Sequence, residues 1–246
     1  MTALILLAHG SRHPETAPAL AALARDVRDN LPASAANGPS HVEIAWLDLA
    51  EPSLEQVCAN LAADGVRNAI AVPLLFTDAF HARVDIPAQV AACSHLGVSI
   101  AVTEGLGLGD GTRRAVLRRI IEAAPHHGTV ADVMLMGVGS SDVTANDAVH
   151  QFARHLDGLL PGRVTASFVV GSEAVKGAAA VSAAARQAAL HGRKLVVVPL
   201  FTAPGLLWDK VRREASELAA FGEPLKTLLT PIVCCRWDSV ALGAAA

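Results

Sequence analysis

Two histidines in this chain stand near the ends of short, wholly apolar runs. His9 follows the run Ala3–Ala8, and His81 lies shortly after the run Ala69–Phe76. Such runs are typical of buried parallel strands, and ligands of open α/β sheets bind at the carboxyl ends of these strands. Neutral imidazole is a good ligand for divalent iron, cobalt, nickel and zinc. The pair therefore predicts a shared divalent-ion site with open coordination positions, unlike a structural site closed by four protein ligands.

A carboxylate accompanies the two histidines. Asp48 ends the second predicted strand, in the segment IAWLDLAEPS, so its side chain is expected at the same rim of the sheet. A turn or a helix N-terminus is the alternative role for Asp48, and Glu51 competes with it for any chemical role. The sequence leaves these alternatives open.

The elements that must position these residues alternate between strand-like and helix-like segments. This alternation predicts an α/β fold built from parallel sheets with helical crossovers. The predicted strands are Leu4–Ala8, Val42–Leu47, Ala69–Leu75, Ser99–Thr103, Val133–Val138, Val164–Val170, Lys194–Phe201 and Leu225–Leu229. The predicted helices are Pro14–Asn30, Ser53–Asp64, Ile86–His95, Thr112–Ala124, Ala145–Leu159, Ser172–His191 and Leu206–Phe221.

The order of the motifs repeats along the chain. LILLAHGSR near the start is echoed by VMLMGVGSS from Val133, and VPLLFT from Val72 is echoed by VPLFT from Val198. Two copies of a four-stranded βα domain would explain both echoes. We therefore expect an N-terminal domain over residues 1–126 and a C-terminal repeat over residues 127–246, related by a pseudo-twofold with a cleft between them.

The two copies differ at the positions of interest. Val138 stands opposite His9, and Leu206 stands opposite His81, whereas Asp48 has no clear counterpart. The apolar replacements indicate that the fold does not require imidazole at these positions. We therefore expect one site per chain, carried by the N-terminal half.

Composition argues against several other functions. The 246 residues are 52% hydrophobic and 17% charged, which is typical of a folded globular chain. A formal net charge of −3 and an aromatic content of 4% argue against nucleic-acid binding. No apolar run approaches the roughly 20 residues that span a bilayer, and the start has no basic segment typical of a signal peptide. A cytoplasmic protein without membrane contact is expected.

Three further motifs predict structure more than chemistry. The four cysteines Cys58, Cys93, Cys234 and Cys235 show no C-x-x-C spacing, so we expect buried structural thiols. The glycine-rich segment 105–109 has no following lysine and matches neither a P-loop nor a dinucleotide-binding motif. Ser11 and Ser140 occupy the same place in the two copies, which favours a turn role for their hydroxyl groups.

Three consecutive motifs resemble the sirohydrochlorin chelatase family, the class II tetrapyrrole chelatases. They are H-G-S-R-x-P-E after the first strand, W-L-D-L-A-E-P-S after the second, and V-P-L-x-F-x₄-H-x₃-D-I-P after the third. The later segment VVVPLFTAPGLLWDKV is similar to the second half of the long, two-domain members. The resemblance implies the chelatase-like fold and a lyase that inserts Co²⁺ or Fe²⁺ into sirohydrochlorin.

The resemblance also implies roles for single residues. His9 and His81 fall on the metal-binding histidines, and Asp48 falls on the position of an acidic residue that is more often Glu. These three residues are the expected catalytic set. Arg12, Arg83 and Ser11 are the candidates for binding the substrate. Members of the family usually carry two glycines just before the second histidine, and this chain has Ala79-Phe80 there. These larger side chains are expected to narrow the approach to His81.

The expected ligands are a carboxylate-rich tetrapyrrole and the divalent ion, both as substrates, with no tightly bound organic cofactor and no nucleic-acid partner. Because both halves are present in one chain, a monomer suffices, although a homodimer stays open. Two rival hypotheses remain: a chelatase for another tetrapyrrole or metal, and a non-catalytic carrier of metal or tetrapyrrole.

Overall fold

The computed structural model describes residues 1–32, 38–77, 85–124, 130–171 and 173–241. Its strands are β1 (Thr2–Ala8), β2 (Val42–Trp46), β3 (Asn68–Pro73), β4 (Ser99–Val102), β5 (Ala131–Gly137), β6 (Val164–Phe168), β7 (Lys194–Pro199) and β8 (Ala220–Phe221). They form two sheets, ordered β2-β1-β3-β4 and β6-β5-β7-β8, in which every pairing is parallel. The predicted α/β class and the two similar parallel sheets are confirmed.

Helices connect the strands. They are α1 (Thr16–Asn30), α2 (Leu54–Ala63), α3 (Ile86–Ala92), α4 (Asp110–Ala123), α5 (Val143–Asp157), α6 (Gly177–Leu190), α7 (Leu206–Glu214) and α8 (Thr230–Ala241), with 3₁₀ turns at Cys93–Leu96 and Lys226–Leu229. No helix within the described ranges is long and apolar enough to cross a membrane.

Local sequence explains the elements nearest the candidate site. Positions 3–8 of β1 are all buried, as expected for a central parallel strand covered on both faces. Helix α2 begins at a capping box: the Ser53 hydroxyl accepts the Gln56 N–H at 3.2 Å, and the Gln56 side chain accepts the Ser53 N–H at 2.6 Å.

Packing divides the chain into two compact units. Unit 1 comprises residues 1–107 and 226–246, and unit 2 comprises residues 108–225. Helix α4 follows the last strand of the first sheet but belongs to unit 2, and α8 at the end of the chain belongs to unit 1. The packing units thus differ in their boundaries from the sequence repeat at 1–126 and 127–246.

The strand predicted at Leu225–Leu229 is wrong. This segment is a loop and a 3₁₀ turn that leads into α8, and the last strand is the two-residue β8. The predicted helix Leu206–Phe221 consequently ends earlier, at Glu214. Buried apolar residues recur with helical spacing over this stretch, at Leu225, Leu229, Ile232, Val233 and Trp237. The apolar signal at 225–229 therefore belongs to a helical face.

The cysteines depart in part from expectation. Cys58 and Cys93 are buried, as predicted, whereas Cys234 is half-buried and Cys235 is exposed. Cys235 follows Cys234 directly on α8, so the two side chains lie on different faces of the helix. The prediction of a buried thiol is wrong for Cys235.

Candidate functional site

His9 and Asp48 lie on adjoining strand ends. The pairing of β1 with β2 continues past both strands: the Leu47 N–H donates to the Ala8 carbonyl oxygen at 2.8 Å, and the Asp48 N–H donates to the His9 carbonyl oxygen at 3.0 Å. Both His9 and Asp48 are exposed. The structure therefore places the imidazole and the carboxylate at one rim of the sheet, joined through their backbones.

Gly10 permits this close approach. Its φ of +103° is unfavourable for any residue with a side chain. A Cβ at this position would lie 1.7 Å from the carbonyl oxygen of Asp48. The glycine in H-G-S-R is thus required by the contact between the two loops that carry His9 and Asp48.

Ser11 and Arg12 continue the same turn. The Ser11 Oγ accepts the His13 N–H at 3.1 Å, as the Ser140 Oγ accepts the Asp142 N–H at 3.0 Å in the second sheet. This is the turn role that the repeat predicted for both hydroxyl groups. The side chain of Arg12 is exposed at the surface.

The Asp48 carboxylate is partly engaged. Its Oδ1 accepts the Leu49 N–H at 2.7 Å, and Leu49 has a φ of +61°. A backbone hydrogen bond closes the loop that carries Asp48: the Trp46 N–H donates to the Pro52 carbonyl oxygen at 3.0 Å. Asp48 thus combines the predicted turn alternative with a carboxylate that remains exposed. Glu51, its competitor, is also exposed in this loop.

His81 and Arg83 fall outside the described residues. The described residues on either side of them are fixed to the same rim. The Leu74 N–H donates to the Leu7 carbonyl oxygen at 2.8 Å, and the Gln89 Nε2 donates to the Leu47 carbonyl oxygen at 2.9 Å. Sequence reasoning missed Gln89, whose only signal was a polar side chain early in the short helix α3.

The glycine-rich segment 105–109 has a structural role. A Cβ on Gly105 would lie 2.6 Å from the carbonyl oxygen of Leu75 in the loop after β3. Arg236 of α8 holds the segment: its Nε donates to the Gly105 carbonyl oxygen at 2.9 Å, and its Nη1 lies 3.1 Å from a Glu104 carboxylate oxygen. Sequence reasoning also missed Arg236, because the segment containing it was not predicted to be a helix.

Unit 2 repeats the backbone of this rim with apolar side chains. The Val170 N–H donates to the Val138 carbonyl oxygen at 2.9 Å, and Gly139 has a φ of +98° with its Cβ direction blocked by the Val170 carbonyl oxygen at 2.0 Å. Val138 is therefore the counterpart of His9, as predicted, and Val170 is the counterpart of Asp48, which the sequence did not identify. Both valines are exposed, at 42% and 41%.

The described ranges contain no cluster of three or more His, Cys, Asp or Glu side chains able to hold an ion. Within these ranges, the side chains of His9 and Asp48 are the candidate metal ligands at the rim of unit 1.

The chain is similar to known chelatases over most of its length. The profile of the CbiX family matches residues 3–123 and 132–233. A sirohydrochlorin ferrochelatase of Priestia megaterium is 24% identical over 221 residues, which cover 89% of this chain and 80% of that protein. A sirohydrochlorin cobaltochelatase of the same organism is 23% identical over 214 residues, covering 84% of this chain and 66% of that protein.

A solved structure shares the fold. SirB from Bacillus subtilis with Fe³⁺ superimposes with a TM-score of 0.80 at 22% identity, covering 99% of this chain and 97% of that one. The family match spans both halves of the repeat and includes the H-G-S-R and W-L-D-L-A-E-P-S segments. This chain therefore belongs to the CbiX family, the chelatase family that its motifs resemble.

Proposed function

We propose that this protein is a sirohydrochlorin chelatase that inserts Co²⁺ or Fe²⁺ into the macrocycle without a redox step. The observation that carries the proposal is the rim of unit 1, where His9 and Asp48 are held on adjoining strand ends. The same backbone in unit 2 carries Val138 and Val170. The counterparts of His9 and Asp48 in unit 2 are thus both valines, which supports a single site of this kind per chain.

His9 and His81 are the proposed metal-binding residues. Two imidazoles bind a divalent ion while leaving coordination positions for the incoming ring nitrogens. They also release the ion more readily than a closed four-ligand site. The exposure of His9 supports this role, since the ion must reach the macrocycle directly.

Asp48 is proposed as a proton acceptor. Two pyrrole N–H groups must each lose a proton as the divalent ion enters the ring, so the site needs bases close to the macrocycle. The Leu49 N–H engages Oδ1 of Asp48, which fixes the orientation of the exposed carboxylate. Asp48 therefore does not need to contact the ion. Arg12 and Arg83 are proposed to pair with substrate carboxylates, and Ser11 to donate its hydroxyl proton to one.

The test is metal insertion by the purified protein. Sirohydrochlorin with Co²⁺ or Fe²⁺ is followed by absorbance, and we expect many metallated rings per chain. His9→Ala and His81→Ala should each lower the rate at least 100-fold. Asp48→Asn should lower it about 10- to 100-fold, because a base is lost while the ion is still bound.

Val138→Ala is the matched control, because Val138 occupies the place of His9 in the repeat. Its rate should equal that of the unmodified protein. Full activity of His9→Ala would refute the site. At most one metallated ring per chain would identify the protein as a carrier instead, and product with another tetrapyrrole alone would change the proposed substrate.

The identity of the ion is tested by competition. The relatives described above include a ferrochelatase and a cobaltochelatase, and imidazole accepts both ions. Rates with each ion alone, and the product formed from an equal mixture, will assign the preference. We also propose a cytoplasmic location and a monomer or homodimer, which fractionation and light scattering will test.

A further inference from the structure

The peptide group between Leu47 and Asp48 is hydrogen-bonded at both of its polar atoms. Its N–H, that of Asp48, donates to the carbonyl oxygen of His9 at 3.0 Å. Its carbonyl oxygen, that of Leu47, accepts a hydrogen bond from the Nε2 of Gln89 at 2.9 Å. Gln89 lies on α3, 42 positions beyond Leu47 in the chain. This peptide group therefore joins the turn that carries His9 to helix α3.

Two kinds of contact hold α3 in unit 1. The helix has only seven residues, Ile86–Ala92, and a helix of this length has little stability by itself. The side chain of Ile86 is buried in the core of unit 1, and Val90 packs against the same core. Burial of these apolar side chains is not directional. The half-buried Gln89 adds a directional contact, because a hydrogen bond requires its donor and acceptor to be aligned.

Unit 2 carries the equivalent rim with different bonding. The Val169 N–H donates to the Gly137 carbonyl oxygen at 3.0 Å, and the Val170 N–H donates to the Val138 carbonyl oxygen at 2.9 Å. The peptide group between Val169 and Val170 therefore corresponds to the one that Gln89 contacts in unit 1. None of the side chains that the structure describes donates a hydrogen bond to the Val169 carbonyl oxygen.

The backbone of such a rim thus forms without a side-chain donor at this carbonyl oxygen. The additional bond from Gln89 occurs in the unit whose rim carries the exposed imidazole of His9 and the exposed carboxylate of Asp48. In the other unit, where the same positions are valines, the bond is not formed among the described residues. This difference favours a role for Gln89 in the site over a role in building the fold.

We propose that Gln89 is a positioning residue for Asp48. The Gln89 bond to the Leu47 carbonyl oxygen and the Asp48 bond to His9 together fix the rotation of the peptide group between Leu47 and Asp48. The Cα of Asp48 is attached to this group, so the direction in which its carboxylate leaves the backbone is fixed as well. A base must lie within hydrogen-bond reach of the proton that it removes, and small displacements lower the rate. This role rests on the proposed function, in which Asp48 accepts pyrrole protons.

The first test compares rates of metal insertion. Gln89→Met keeps the length of the side chain but removes its N–H donor. We expect kcat to fall about five- to tenfold, as is common when a group that orients a site residue is lost. The KM for sirohydrochlorin should change by less than about twofold, because the contacts to the macrocycle remain.

A double variant separates positioning from a general structural effect. Once Asp48→Asn has removed the base, its orientation no longer matters, so adding Gln89→Met should lower the rate no further. Losses that multiply in the double variant would show that Gln89 acts independently of Asp48, and would overturn the proposal.

The second test does not depend on metal insertion. Hydrogen exchange followed by NMR should show the Asp48 amide exchanging at least about tenfold faster in Gln89→Met, because the peptide group is no longer held at its carbonyl oxygen. The amide of Val72 in the buried strand β3 should exchange as in the unmodified protein. If the protein inserts no metal, the proposed function fails, and the exchange result alone decides whether Gln89 holds this peptide group.

Gln151→Met is the matched control, because Gln151 is an exposed glutamine of α5 in unit 2. It should leave both the insertion rate and the exchange of the Asp48 amide unchanged. Urea titration will establish that each variant is folded. Unchanged exchange of the Asp48 amide in Gln89→Met would overturn the proposal, whatever the insertion rate.

Discussion

His9 and Asp48 are brought together by backbone contacts, and their side chains are left exposed. The hydrogen bond between the Asp48 N–H and the His9 carbonyl oxygen fixes the spacing of the two chains, and Gly10 allows them to touch. A ligand can therefore reach both side chains from solvent. The valines of unit 2 show that the same backbone forms with other side chains.

Replacing Gly10 should damage this arrangement. In Gly10→Ala the Cβ would lie 1.7 Å from the Asp48 carbonyl oxygen, at a φ of +103°. We expect the free energy of unfolding to fall by about 2–4 kcal/mol, from strain and the displaced loop. Gly65→Ala is the control: Gly65 also has a positive φ, of +77°, but nothing lies within 4 Å of its Cβ direction. Gly65→Ala should lower the free energy of unfolding by only about 1 kcal/mol. Urea titration of both variants measures the two losses. Equal losses would contradict the role of the contact.

The cysteines should differ sharply in reactivity. Burial raises the pKa of the Cys58 thiol to about 12 and also raises the pKa of Cys93, whereas Cys235 is exposed. At pH 8 the thiolate fraction of Cys58 should be lower than that of an ordinary cysteine by roughly 1000-fold. Mass spectrometry after iodoacetamide treatment should find Cys235 modified and Cys58 protected. Rapid modification of Cys58 in the folded protein would disagree with this environment.

The raised pKa of Cys58 also predicts how the stability of the protein changes with pH. Because the pKa of the unfolded thiol is the ordinary 9.0 and that of the folded thiol is about 12, the unfolded state loses its proton first. This contribution to stability is complete below pH 9 and is lost progressively between pH 9 and 12. In urea titrations, Cys58→Ala should therefore show a shallower loss of stability over that range than the unmodified protein.

Helices α4 and α8 play equivalent roles at the element scale. The Arg119 side chain of α4 donates to the carbonyl oxygens of Pro224 and Leu225, at 3.0 and 3.3 Å, in the loop after β8. The Arg236 side chain of α8 donates to the Gly105 carbonyl oxygen in the loop after β4. In each unit an arginine thus holds the loop that follows the short edge strand.

Removing one of these arginines should lower the free energy of unfolding. Arg119→Met leaves two loop carbonyl groups without their donor, and the side chain is only 15% exposed. We expect a loss of about 1.5–3 kcal/mol in the free energy of unfolding. Arg118→Met is the control, because Arg118 is 65% exposed and pairs with Glu122 at the surface; its cost should stay below about 0.5 kcal/mol. Similar costs would show that the loop contacts contribute little.

At the scale of the whole molecule, unit 1 is completed by a distant part of the chain, whereas unit 2 is one continuous stretch. The last helix, α8, packs in unit 1 against α1 and β3, and it buries Val233 and Trp237. The side chain of Thr230, its first residue, bonds to Asp26 of α1. The fold of unit 1 therefore depends on residues more than a hundred positions beyond its sheet.

A chain that ends at Leu225 should lose unit 1 selectively. Without α8, the apolar surface of α1 and β3 is exposed, and large buried side chains such as Trp237 are lost. Hydrogen exchange should show reduced protection of β1 and β3, with β5 and β7 still protected. A chain that ends at Ala241 keeps α8 and is the control. Equal loss of protection in β1 and β5 would contradict the division into these units.

The sequence by itself determined the local elements and the repeat. Of the eight strands that the described part of the chain contains, periodicity placed seven within a few residues, because continuous apolar runs are typical of parallel strands that are buried on both faces. The echo of A-H-G-S by G-V-G-S paired His9 with Val138, since both follow the central strand of a sheet. The motifs also indicated the family, because each combines several specific residues at fixed spacing.

The tertiary structure alone decided which distant residues meet. The packing of α8 in unit 1 and the contact of Gly10 with Asp48 both join positions far apart in the chain. Short-range patterns carry no information on such contacts, because they arise from the packing of whole elements.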